Sequence, residues 1–151
     1  MTPSSYPTFG ARAVAFAIDS ALLAIIHFFV FFLTTGRLFN DLVHIEDVVD
    51  LSFASGYLVL FFASFVFLHM VYYISLHSWT GQTIGKMIMG IRVVSTGREL
   101  IPPAVAFLRW AGYILSLFPL AAGFLWTAVD KDHCAWHDRL AQTRVVSAEM
   151  T

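Results

Sequence analysis

The sequence is short of charge and nearly without cysteine. Of its 151 residues only 13% are Asp, Glu, Lys or Arg, about half of what a soluble domain carries to keep its surface in water. An ordinary soluble globular domain is thereby excluded. One cysteine, Cys134, rules out a disulfide framework within the chain. Neither sign of charge dominates, with nine Lys and Arg against ten Asp and Glu and a formal net charge of −1. The clustered basic excess that a nucleic-acid partner requires is therefore missing, and none is expected. What is abundant is apolar surface. Hydrophobic residues make up 58% of the chain and Phe alone contributes 15, more than one small core can hold, so the surplus faces lipid.

Residues 13–33 hold a single charge, Asp19, over a length that spans a hydrocarbon core of about 30 Å. A cleaved signal peptide has a shorter apolar region, about 7 to 15 residues, ending in small side chains. This run ends in Phe31-Phe32-Leu33-Thr34-Thr35-Gly36 and reads as a retained span. Residues 51–76 carry no charge at all and include Phe61, Phe62, Phe65 and Phe67, with Tyr72-Tyr73 suited to an interface. They form the second span.

The third apolar stretch, 104–129, contains Arg109 near its start and Pro119 past its middle, with Gly112 and Gly123 on either side of the break. It is either one kinked span or a broken helical hairpin, re-entrant or interfacial. Charge favours the hairpin. Between the first two spans Arg37 stands against Asp41, Glu46, Asp47 and Asp50, whereas 77–103 carries Lys86, Arg92 and Arg98 against Glu99, and the tail carries Lys131, Arg139 and Arg144. The positive-inside rule puts the N-terminus, with Arg12, and 77–103 in the cytoplasm, and a single third crossing would strand the basic tail outside. Two complete crossings need about 40 apolar residues, which are not there. Ile91–Ser95 (IRVVS) and residues 100–101 flank Thr96-Gly97-Arg98-Glu99, the pattern of a β-hairpin. Thr143–Ser147 (TRVVS) nearly repeats the first strand and joins it on the same side of the membrane. The fold expected is an all-α membrane protein: two transmembrane helices plus a broken helical hairpin, with a small cytoplasmic β-hairpin joined by a C-terminal strand. One membrane domain covers residues 1–151, with cytoplasmic segments at 77–103 and 130–151.

Asp19 demands a reason, because a carboxylate at mid-helix costs roughly 2.5–3.5 kcal/mol on insertion scales. Arg12, seven residues earlier, shares its helix face but lies about 10 Å away along the axis, too far for a close pair. Each needs another partner, and Ala11 and Ala15 on the same face let a helix approach. Counting depth from the cytoplasmic ends puts His69 level with Asp19. Such a pair is a structural hydrogen bond or a proton or cation relay, and the structural reading is the commoner. His27 is a packing residue or an axial ligand for a haem or chlorin ring. His133, Cys134 and His137 lack the further partner that would complete a zinc site, so residues 130–139 read as a capped, hydrogen-bonded turn and no metal is expected. Gly81-Gln82-Thr83-Ile84-Gly85-Lys86 fails the spacing of a phosphate loop and follows no strand. No catalytic triad or carboxylate pair is legible. The expectation is a protein that is not an enzyme and holds no cofactor.

Several motifs together resemble the RDD family of small integral membrane proteins. They are Arg12 with Asp19, then Gly81-Gln82-Thr83-Ile84-Gly85-Lys86 leading into Gly90-Ile91-Arg92-Val93-Val94, Leu108-Arg109-Trp110, and Phe124-Leu125-Trp126 with Asp130. The last is His137-Asp138-Arg139-Leu140-Ala141-Gln142-Thr143. The match runs over almost the whole chain, with residues 34–70 carrying little of it. The Arg and two Asp of the family name correspond to Arg12, Asp19 and Asp138, with Asp130 the other candidate for the second Asp. The family commonly has Gly where this chain has Gln142, which bears on the turn before the final strand. The resemblance implies a bacterial inner-membrane protein, with transport of unknown ligands suggested, cation/proton exchange attributed to some members and helper roles in larger assemblies to others. The expectation is an accessory or assembly subunit whose partners are the bilayer and other membrane subunits or its own copies. The alternative is a homo-oligomeric transporter or cation/proton exchanger using Asp19.

Overall fold

The computed structural model describes residues 7–43, 51–95, 101–118 and 120–148. Residues 44–50, the expected turn Thr96-Gly97-Arg98-Glu99 with Leu100, and Pro119 lie outside the described residues. Helix α1 runs Phe9–Val43 and helix α2 runs Leu51–Thr80. Thr8 starts α1, its hydroxyl accepting the Ala11 N–H at 3.3 Å, which satisfies one of the amides a helix start leaves bare. Two stretches are long and apolar enough to cross a membrane, Phe9–Gly36 with mean hydropathy 2.3 and Ser55–Thr80 with 2.0. Both contain most of the span read from the sequence.

The chain forms two compact units, residues 20–69 and residues 1–19 together with 70–151. In the first, α1 and α2 pair through aromatic rings. Phe31 meets Phe61 edge-on at 4.9 Å and Tyr57 at 5.0 Å, and Thr35 Oγ1 lies 2.5 Å from Tyr57 Oη. Ile25, Phe28, Phe32, Val59 and Leu60 are exposed on this unit, as side chains facing lipid should be.

The second unit holds α3 (Ile84–Ile88), β1 (Ile91–Ser95), α4 (Pro103–Leu117), α5 (Ala122–Val129), α6 (Trp136–Leu140) and β2 (Thr143–Ser147). Strands β1 and β2 pair antiparallel with Val93 opposite Val145. Both valines are buried with Ala15, Ile91, Ile101 and Ala106 in one apolar cluster. The strand Ile91–Ser95 thus pairs directly with the C-terminal strand in a two-stranded sheet. The nearest-neighbour hairpin expected from the sequence is corrected at Ile101, which belongs to no strand and is a core residue. Alternation marks a strand but does not choose its partner.

The broken helix is present. Proline at the first position starts α4, where its missing N–H costs nothing. Helices α4 and α5 meet at 95°, with Leu120 and Ala121 at φ 51° and 60°. Gly123 allows the fold-back, since a Cβ there would stand 2.6 Å from the Ser116 backbone. Helix α4 buries Arg109, Tyr113 and Ser116 and exposes Phe107, Leu108, Ile114 and Leu115. Polar inside and apolar outside is the reverse of a water-soluble helix and fits a lipid surround.

Candidate functional site: a buried charge cluster

The cluster is built around Asp138, in the first turn of α6, whose Oδ2 accepts the Ala135 N–H at 3.0 Å and so holds the start of that short helix. The same oxygen receives Arg12 Nη1 at 2.8 Å, while Oδ1 faces Arg109 Nη1 at 2.5 Å. Arg109 also donates to Thr143 Oγ1 at 2.5 Å and through Nε to Tyr113 Oη at 3.3 Å. One carboxylate therefore ties α1, α4 and α6, and Arg109 extends the tie to β2. Burial opposes the charge on Asp138, but Arg109 and Arg12 more than offset it and hold the carboxyl well below its ordinary range.

Asp19 is held by a separate set of donors. Tyr72 Oη and the Gly85 N–H reach its Oδ1 at 2.6 and 2.7 Å, and Thr83 Oγ1 reaches Oδ2 at 2.5 Å. Thr83 is also the N-cap of α3, accepting the Lys86 N–H at 3.4 Å. The approach depends on Gly85, where a Cβ would lie 2.1 Å from the Ala15 carbonyl oxygen. The segment that resembles a phosphate loop grips a side-chain carboxylate of its own chain.

A third set branches from the first. Lys86 Nζ lies 2.7 Å from His77 Nε2 and 3.4 Å from Tyr113 Oη. His77 Nδ1 faces the Tyr73 carbonyl at 2.8 Å, so that nitrogen carries the ring proton and Nε2 accepts from Lys86. Burial, followed by the Arg109 charge, pushes the Lys86 pKa well below its ordinary value. His137 completes the cluster with Nδ1 at 3.2 Å from Ser116 Oγ and Nε2 at 3.6 Å from Asp138. Its pKa is pushed well down, chiefly by burial.

A cavity of about 210 Å³ adjoins these groups. Arg12, Asp19, Lys86, Arg109 and His137 reach it, and Phe16, Tyr113, Leu117 and Phe124 supply its apolar wall.

Arg12, Asp19, Arg109 and Asp138, singled out in the sequence, all fall in this unit, in two linked arrangements. The second Asp of the cluster is Asp138. Asp130 instead accepts the Cys134 N–H at 3.0 Å and pairs with Arg139 at 2.5 Å on the surface side. Asp19 is held by the Tyr72, Thr83 and Gly85 donors, with α2 presenting Tyr72 to the carboxylate. His69, in the 20–69 unit, packs its ring edge-on against Phe65 at 4.6 Å. His27 Nε2 lies 2.9 Å from Ser64 Oγ and its ring contacts Phe31, Phe61 and Phe65, the surroundings of a packed, hydrogen-bonded histidine. The buried Cys134 thiol donates to the Asp132 carbonyl at 3.4 Å. Sequence reasoning missed Tyr72, His77 and Tyr113 as polar partners. It quoted Thr83 and Gly85 only within a motif and Lys86 only there and in the charge count, although a lysine beside an apolar span is a signal that could have been followed.

Two apolar membrane-crossing stretches, a bent helix pair and a small sheet closed over buried arginine and aspartate define a small polytopic membrane protein. The chain belongs to the RDD family, whose family model matches residues 6–142. No curated protein and no solved structure matches it.

Proposed function

We propose that this protein is a non-catalytic subunit of a larger membrane assembly, resident in a bacterial inner membrane with both termini cytoplasmic. The observation that carries the reading is how the buried carboxylates are used. Asp138 is taken by two guanidiniums and Asp19 by three donors, so the acids serve to join elements. Holding such a cluster in register is a use of buried polar groups well suited to specifying one arrangement. The basic residues of 77–103 and of the tail support the orientation. Cross-linking in intact membranes followed by purification in mild detergent tests the role. A second kind of membrane subunit recovered in fixed ratio is expected, and recovery solely as a homo-oligomer overturns it.

A homo-oligomeric cation/proton exchanger is the second reading, supported by the cavity that Asp19 adjoins. It requires that Asp19→Asn abolish proton-coupled cation flux in reconstituted protein. Under the subunit reading the purified wild type shows no such flux.

A further inference from the structure

We propose that the cavity beside Lys86 binds a small apolar monocarboxylate together with one proton, which Lys86 carries. The inference goes beyond the assembly role and does not depend on it.

Charge balance leads to the cation. Arg12 and Arg109 stand against Asp138 and Asp19, two positive groups for two negative ones, all in one compact unit. Lys86, 7% exposed, is the odd group. The groups facing it are His77 from α2, Arg109 and Tyr113 from α4, His137 and Asp138 from α6, and Arg12 and Asp19 from α1. With both histidines uncharged the set is neutral when Lys86 is an amine and carries one excess positive charge when it is an ammonium. An uncompensated buried charge is strongly destabilising. Protonation of Lys86 therefore calls for an anion, and one negative charge is the number that restores balance.

The walls narrow the class of that anion. Arg12 has a buried Nε–H with no acceptor among the described residues, and both Arg12 and Lys86 border the cavity. A buried donor left unmade is costly, and a carboxylate, with two oxygens, offers one to each cation. Asp19, Arg109, Thr127 and His137 also border the cavity, and the rest of its wall is apolar, with Phe16 and Phe124 rings 5.4 Å apart and Tyr113 stacked 5.8 Å from Phe124. That surface suits a hydrocarbon or aromatic body and wastes the hydrogen-bonding capacity of an inorganic ion. The volume, about 210 Å³, admits a molecule the size of benzoate. Binding adds the proton and the anion together, so the complex enters and leaves as a neutral pair.

The test titrates benzoate calorimetrically into the full-length protein in detergent, against protein-free detergent, in two buffers of different ionisation enthalpy. Saturable binding is expected with uptake of up to one proton per benzoate. Affinity falls about tenfold for each pH unit above the lysine's pKa, as linkage requires. Benzamide, the neutral isostere, does not bind. Lys86→Met keeps the elution profile of the wild type and loses benzoate affinity at least tenfold. Absence of saturable benzoate binding, equal binding of benzamide, binding without proton uptake or pH dependence, or undiminished binding by folded Lys86→Met would each overturn the proposal. If Lys86→Met does not fold, the benzoate and benzamide titrations of the wild type decide.

Discussion

Asp138 is a single carboxylate with the buried Arg109 and the part-buried Arg12 depending on it, and its replacement by Asn keeps the shape while removing the counter-charge. Breaking a buried pair costs about 3–5 kcal/mol. Asp138→Asn should therefore lose most of the stability of the purified protein, read as a large fall in melting temperature, whereas Asp130→Asn, at a pair whose arginine is 54% exposed, should change it little. Acid should act in two steps. His137 is buried with its pKa pushed below 6.5, so as pH falls through that value the unfolded chain takes up a proton that the folded one refuses, and stability drops. Asp138 has a depressed pKa, so its contribution is intact above the ordinary carboxyl value of 3.8 and lost as pH falls through its lower folded value. Melting temperature followed against pH should show an added decline below about 6.5, shallower in His137→Gln. Gln142 stands where the family resemblance implies glycine and sits at φ 51°, a left-handed conformation that glycine adopts without strain and other residues seldom adopt.

At the scale of elements, α3 owes its position to one missing side chain. With a Cβ at Gly85 overlapping the Ala15 carbonyl, Gly85→Ala must push α3 off α1 and draw the Thr83 hydroxyl and the Gly85 amide away from Asp19. Overpacking of this kind costs about 1–3 kcal/mol, and the melting temperature should fall, while Gly36→Ala, with open space around it, serves as the neutral control. The two long helices were legible from the length of their uncharged runs, and the broken pair from Pro119 and the charge count. The pairing of Ile91–Ser95 with Thr143–Ser147 was legible as well, because the second segment nearly repeats the first, and Val93 and Val145 stand opposite each other across 52 residues. Local alternation misled only at Ile101, which belongs to no strand. The polar cluster was legible at its arginines and aspartates, because a charge in an apolar run stands out. Tyr72 and His77 were hidden, since aromatic residues at a span's end fit an interface equally well, and Tyr113 because it lies inside an apolar stretch.

For the whole molecule, the orientation proposed above needs a reporter other than the native thiol. Cys134 is 7% exposed and burial pushes its thiol pKa up, so it reacts slowly on either side of a membrane. Arg144 is exposed on β2, and Arg144→Cys in a Cys134→Ala background places a reactive group on the sheet. In right-side-out vesicles a membrane-impermeant maleimide should label it only after permeabilisation, and labelling of intact vesicles would reverse the assignment.

The clamp on Asp138 also sets a schedule for biosynthesis. Arg12 and Asp138 are separated by 126 positions, and at about 5–20 residues per second a ribosome needs roughly 6–25 s to travel between them. Throughout that interval the nascent chain carries its first helix with a guanidinium whose counter-ion has not been made. Arrival of Asp138 closes the N-terminal helix, the broken pair and the last helix in one event. A chain interrupted before that residue therefore shows a membrane protease an unneutralised arginine, while a finished chain does not.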